Sequence, residues 1–488
     1  MGPDVTARQE LHSTPFLAFQ LSVFATSYAT VNPHLFPLRL WSIPVALAST
    51  WHLCTKFAFT DPWLNTFNFG VCVVGFTMFM RLLEMAFLDE PPKYDGRLAC
   101  TRQTVLCKHC LVNTISYLLD ARCLHWNNDS PCFKPQDTRG DTSHLQFYIH
   151  TFYLFAKHLL IYDTFHVIIE NIGTLGKPQG DTIYRHSLHF TKNLEIPFPH
   201  PALAAVLIAF MAGQVIWHSM ASGHYLVTLL AAPLTWLPPT ISPLSLPASA
   251  LKKEWPPLYD NPLKATSIRD FWSRRWHSTF RRNFWIAGGK PGSAVGQYIG
   301  KFVGGVFENI FEPHVTDSGA EKTSRLADRW SILGMRMGAV MGVFLMSGLL
   351  HDLGMWGMGQ GMDLRRVTGY FLIQGIGLII EDALGLAQVD KQTEKADTLS
   401  VEPRVIANGN GSCSPETDIK QKSSSPSSSS PNLQSRLMTL WVFMWVVVPA
   451  TMMIEAWLER GLGGVVIWPH SLSPGRRLVK LWKQFLAE

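Results

Sequence analysis

The sequence predicts an all-α fold, a polytopic integral membrane bundle of about eight or nine transmembrane helices. Three observations carry this. Long apolar stretches nearly free of charge recur along the chain, several close to the ~20 residues that cross a bilayer core. Only 16% of the 488 residues are charged, against about 25% in a typical soluble domain. Trp41, Trp51, Trp63, Trp217, Trp236 and Trp441 sit near stretch ends, where an interfacial aromatic belt would place them. The same composition excludes a disordered chain, and 8 Cys are too few for a disulfide scaffold.

The stretches are Pro15–Val31, Leu35–Cys54, Leu64–Leu88, Leu145–Ile169, Pro201–Trp217, Tyr225–Leu237, Ile332–Leu350, Val367–Ile380 and Leu437–Leu458. The first reads as a retained span, because Arg8 is followed by Glu10 and no small-residue cleavage site follows. The organisation expected is N-terminal transmembrane helices over 1–88, a polar Cys-containing loop over 89–144 and a membrane core over 145–387. A disordered Ser-rich loop over 388–436 and a last helix with a basic tail over 437–488 complete it.

Charge gives an orientation. Lys252–Lys290 holds nine Lys and Arg against Glu254, Asp260 and Asp270, an excess equal to the whole net charge of +6. The positive-inside rule puts this window in the cytosol. Counting spans backward then puts 89–144 in the lumen. Its Cys100, Cys107, Cys110, Cys123 and Cys132 and the sequon Asn128-Asp129-Ser130 would suit an oxidising compartment, although Pro131 weakens the sequon.

Two segments carry chemistry. Ile332–Leu350 runs into His351 and Asp352. Gly334, Gly338 and Gly342 are spaced by four and line one helix face, which lets a neighbouring helix approach closely. His351 lies half a turn away in projection, on the side of Val340, Phe344 and Ser347. A helix docked by its glycine back would present one imidazole from an apolar face. That imidazole reads either as a helix-end hydrogen-bonding group or as a general base, with Ser347 or Asp352 orienting it. In Ser267–Ala287, Trp272, Trp276, Phe280 and Phe284 recur every four residues, with Arg274, Arg275, Arg281 and Arg282 on the other side. This predicts an amphipathic helix in the membrane interface, either purely structural or a clamp for an anionic ligand. Nucleic acid is not an expected partner among membrane spans.

Together these segments resemble the wax synthase-like branch of the membrane-bound O-acyltransferases. The resemblance rests on Phe271-Trp272-x-Arg274-Arg275-Trp276-His277 and on Ser347-Gly-Leu-Leu-His351-Asp352 at a span end. It is best over about Trp255–Leu386, and the span pattern extends it loosely to the whole chain. It implies that His351 is the catalytic base and that the Trp272, Arg274, Arg275 and Trp276 box binds acyl-CoA, with Arg281 and Arg282 beside it. Many members carry Asn where this chain has His277, which leaves the role of the box's last residue open. The segments look most similar to fungal acetyltransferases of terpenoid or meroterpenoid alcohols. That likeness implies acetyl-CoA as co-substrate, a hydrophobic alcohol as acceptor, the lipid bilayer as surroundings and a multi-pass place in the endoplasmic reticulum. No resident cofactor and no metal are expected. His277, Asn283 or a backbone N–H are candidate oxyanion donors.

Other features compete. His158-x4-Asp163 matches an acyltransferase motif but reads as a polar stripe facing the bundle interior. Glu381 and Asp382 could be the intramembrane acids of a transporter. Cys107-x-x-Cys110 lacks the second pair a zinc site needs. His186 and His189 are too isolated for a di-iron oxygenase.

Overall fold

The computed structural model describes residues 5–94, 108–120, 122, 126, 137, 139, 143–191, 194–238, 245–311, 320–385, 433–464 and 473–485. The sequon, Cys100, Cys107, Cys123, Cys132 and the serine-rich run lie outside the described residues. The long helices are α1 (Ser13–Val31), α2 (Arg39–Lys56), α3 (Asn65–Ala86), α4 (Lys108–Leu119), α5 (His144–Glu170) and α6 (Pro201–Trp236). They continue with α7 (Lys290–Phe311), α8 (Ala320–Gly357), α9 (Val367–Ala383), α10 (Leu433–Glu459) and α11 (Pro474–Phe485). Among the described residues the strands form two short pairs, Gln9–Glu10 with Phe57–Ala58 and Ser187–Thr191 with Leu194–Pro197. Among the described residues, Pro62–Ala86, His144–Glu170, Pro201–Trp236, Ala327–Gly357 and Arg436–Glu459 are long and apolar enough to cross a membrane. The protein is an all-α polytopic membrane bundle.

The helix α6 corrects the orientation expected for the polar loop. Pro201–Trp217 and Tyr225–Leu237 are one unbroken helix of 36 residues, not two spans. Ser219 and Ser222 bond back to carbonyls of their own helix, so the polar residues between the two apolar stretches do not interrupt it. At ~1.5 Å per residue the helix has ample length for one crossing. Only α5 and α6 then separate the 89–144 loop from the basic window, so both lie at one end of the bundle. Contacts confirm this: Arg122 donates to the carbonyls of Pro256 (3.0 Å) and Pro257 (3.2 Å), and Tyr94 bonds Glu254. If the basic window is cytosolic, the Cys-containing loop is too. Cys110 is buried.

The second correction concerns Ser267–Ala287, which is not one interfacial helix. It breaks into a short turn at Ile268–Asp270, a π-helical turn at Phe271–Arg275, an extended Trp276, a turn at Arg281–Phe284 and a second π turn at Trp285–Gly289. The chain dives into the bundle here. Ile268 meets Glu381 at the C-terminal end of α9, whereas Gly288 meets Gly342 in the middle of α8. From there α7 climbs back beside α8: Gly292 faces Gly338, Gly296 faces Gly334 and Gly300 faces Trp330. Residues 268–311 are therefore a re-entrant hairpin. Irregular backbone at membrane depth is tolerated only where protein encloses it, and Ser278, Arg282, Asn283 and Phe284 are all buried. The glycine spacing in α8 has its counterpart in α7. At each contact an added Cβ would overlap the carbonyl oxygen of the facing residue, so the two backbones touch.

The helices α8 and α9 are antiparallel and joined at 358–366. Asp352 makes this joint. It is fully buried and accepts from the backbone N–H of Asp363 (2.7 Å) and from Thr368 N–H (3.1 Å) and hydroxyl (2.5 Å). Arg8 donates to the last carbonyl of α8, that of Gly357 (2.9 Å). The main core gathers Ile208 and its neighbours on α6, Phe344 and Met355 on α8, Tyr370 and Phe371 on α9, and Met453 and Ile454 on α10.

Candidate active site

These elements enclose a cavity of about 660 Å³, within the range of small-molecule sites. Its walls come from α3, α5, α6, the re-entrant hairpin, α8, α9 and α10. The lining is overwhelmingly aliphatic and aromatic, and His277, Ser347 and His351 stand among its few polar members.

His351 reaches the cavity because the glycine face of α8 is taken up by α7, which turns the opposite face inward. Its Nδ1 lies 2.7 Å from the backbone carbonyl oxygen of Ser347. A carbonyl only accepts, so Nδ1 carries the proton and Nε2 keeps a lone pair. The ring is sandwiched by Phe371 (centroids 4.6 Å, planes 19° apart) and Trp457 (5.5 Å, 28°). Of the two residues expected to orient it, Ser347 does so and Asp352 does not. Ser347 holds the ring through its main-chain carbonyl and not its hydroxyl. Asp352 points away, into the α8–α9 joint, because neighbours on a helix diverge by about 100°.

His277 lies on the extended stretch between the turns of the hairpin and lines the same cavity. Tyr259 and Phe280 meet its ring edge-on at 5.8 and 5.7 Å. Its Nδ1 is enclosed without a hydrogen-bond partner among the described residues.

The box residues divide by task. Trp272 and Trp276 line the cavity, and Trp272 donates its indole N–H to Gln374 of α9 (3.3 Å). Trp276 stacks on Phe271 at 5.4 Å. Arg275 is held by Asp270 (2.6 Å) and by the Asp260 carbonyl (3.1 Å), which fixes the π turn. Arg282 is buried against Glu84 of α3, which also pairs with Arg81 at 3.0 Å. Arg281 lines the cavity and donates to the Ser273 carbonyl. Arg274 is partly exposed. The four arginines do not form one face.

Glu381 is fully buried and accepts from the N–H groups of Ile268 (2.9 Å) and Arg269 (3.0 Å), while Asp382 pairs with Arg269. This acidic pair anchors the start of the hairpin. The His158-x4-Asp163 pattern is not a dyad. His158 bonds His218 of α6 through Nδ1 of each ring (2.7 Å), and Asp163 accepts from Ser473 (2.6 Å) and Gly475 N–H (2.7 Å). Among the described residues no three His, Cys, Asp or Glu side chains stand close enough to hold a metal ion. The sequence reading passed over Glu84 and Gln374. An acid and a base three apart, Arg81 and Glu84, at the end of an apolar stretch were the available signal.

Residues 255–373 match the family described as Membrane bound O-acyl transferase. That region, about a quarter of the chain, is similar to this family. It contains the whole re-entrant hairpin, His277 and His351, and it ends two residues beyond Phe371. Over 131 residues the chain is 27% identical to Acyl-CoA–sterol O-acyltransferase 1 of Arabidopsis thaliana. The match covers 27% of this chain and 29% of that relative, so it spans less than a third of either. No solved structure matches the chain.

Proposed function

We propose that this membrane protein is an O-acyltransferase that moves an acetyl group from acetyl-CoA to a hydroxyl of a terpenoid or meroterpenoid. The observation that carries the reading is the His351 arrangement. A neutral imidazole with Nδ1–H committed to a carbonyl offers Nε2 into an apolar cavity. Nε2 takes the hydroxyl proton as the alcohol oxygen attacks the thioester carbon. The carbon–sulfur bond then breaks, and the CoA thiolate recovers the proton from the imidazolium. General-base help of this kind contributes about 10²–10⁴-fold.

His277 lines the cavity, whereas Asn283 is buried and does not, so His277 is the better oxyanion donor of the two side chains. Arg274, partly exposed, and Arg281, in the cavity lining, are the box arginines that would meet CoA phosphates, whereas Arg275 and Arg282 are committed to carboxylates. A bilayer address supplies an apolar acceptor directly, and the endoplasmic reticulum fits such an enzyme. The name of the Arabidopsis relative supports an acyl-CoA donor and a polycyclic alcohol acceptor. The long apolar lining also favours a second reading, transfer of a long acyl chain as in wax ester synthesis. A transporter is disfavoured, because Glu381 and Asp382 are occupied in anchoring the hairpin.

Membranes bearing the protein, radiolabelled acetyl-CoA and a panel of hydrophobic alcohols test this directly. Labelled ester that disappears with His351→Ala supports it, and a longer acyl donor working better would favour the second reading. Saturable uptake of alcohol without ester would overturn both.

A further inference from the structure

We infer that Gln214 and Tyr162 form a second recognition point in the cavity, which reads an oxygen on the acceptor remote from the hydroxyl being acylated. The inference rests on the O-acyltransferase reading above and narrows its substrate to rigid polycyclic alcohols oxygenated at two positions.

The helices α5 and α6 are antiparallel, and the His158–His218 bond fixes their register. Four residues further along α5 and four back along α6 bring Tyr162 and Gln214 to the same level. Both line the cavity and both are more than nine-tenths buried, at 2% and 8% exposure. Neither the Tyr162 hydroxyl nor the Gln214 carboxamide has a hydrogen-bond partner among the described residues. Below Tyr162, His166 stacks on its ring (5.3 Å, 22°) and lines the same wall.

An amide and a phenol that open on an apolar cavity offer hydrogen bonds there that a ligand oxygen can take up in place of water. The carboxamide offers a donor and an acceptor, and the phenol offers a donor. A ligand hydroxyl can therefore accept from Tyr162 while donating to the Gln214 carbonyl. A straight-chain fatty alcohol has no second oxygen to place there. Tyr162 and Gln214 stand on α5 and α6, whereas His351 and His277 stand on α8 and the hairpin, and the oxygen assigned to the first pair is a second one, separate from the hydroxyl presented to His351.

The test uses full-length protein in nanodiscs and two rigid probes, androstanol with one hydroxyl and androstanediol with a second on the far ring. Equilibrium binding of labelled probe is measured apart from acetyl transfer. The wild type should bind the diol about tenfold or more tightly over the mono-ol. In Tyr162→Phe and in Gln214→Leu that ratio should fall toward one, with melting temperatures showing that both variants are folded. Binding neither probe, binding both equally, or an unchanged ratio in both variants overturns the inference; the last result would mean that the two side chains hold only water. Discrimination without any ester formation would leave this recognition point standing and remove the acyltransferase reading instead.

Discussion

His351 hands its Nδ1–H to the main-chain carbonyl of Ser347, one turn earlier on the same helix. The proton is thereby fixed on one nitrogen and the ring plane on one orientation, with Phe371 and Trp457 on its faces. Because the acceptor is backbone, Ser347→Ala should keep the tautomer. Acyl transfer in that variant should stay within a few-fold of wild type in kcat. A loss of a hundredfold would show that the hydroxyl itself takes part.

The Arg81–Glu84–Arg282 group ties α3 to the hairpin through buried charges. Breaking a buried pair leaves an uncompensated charge and costs about 3–5 kcal/mol. Glu84→Leu should therefore lower thermal stability sharply. Adding Arg282→Met to it should recover part of the loss, since the stranded cation is gone. Melting curves of the single and double variants in one detergent decide this, and simple additivity would contradict the account.

The backbone contact between α7 and α8 leaves no room for a methyl group. Gly338→Ala should cost about 1–3 kcal/mol by overpacking. Gly305 is open to its surroundings, so Gly305→Ala on the same helix pair should be close to neutral. Equal melting temperatures for the two variants would argue against the close approach.

The sides of the membrane can be read by labelling. Single cysteines replacing Lys93 and Lys253 should react with an impermeant maleimide from the same face of sealed vesicles. Lys177→Cys, beyond the end of α5, should react only from the other. Labelling of the first two from opposite faces would restore the three-span count between them.

Much of the fold followed from apolar run length, because a bilayer demands uncharged stretches of a fixed size. The two histidines were singled out by their motifs, and both line the cavity. The glycine face of α8 predicted a close neighbour and an inward His351, and both are present. The failures share one cause. Periodicity describes an isolated helix, and Ser267–Ala287 has the period of one. Its actual path is dictated by partners far away in sequence: Glu381 at its start, Asp270 and Asp260 on Arg275, and Glu84 on Arg282. The same limit hid the continuity of α6, where histidine and serine between two apolar stretches resembled a loop but pack inside the bundle.

The central claim is that Nε2 of His351 takes the proton of the attacking hydroxyl. Its most direct test is the single-turnover rate of acetyl transfer by purified His351→Ala protein whose melting temperature and acetyl-CoA affinity match wild type. The account predicts a rate lower by about 10²–10⁴-fold. A rate within a few-fold of wild type would contradict it.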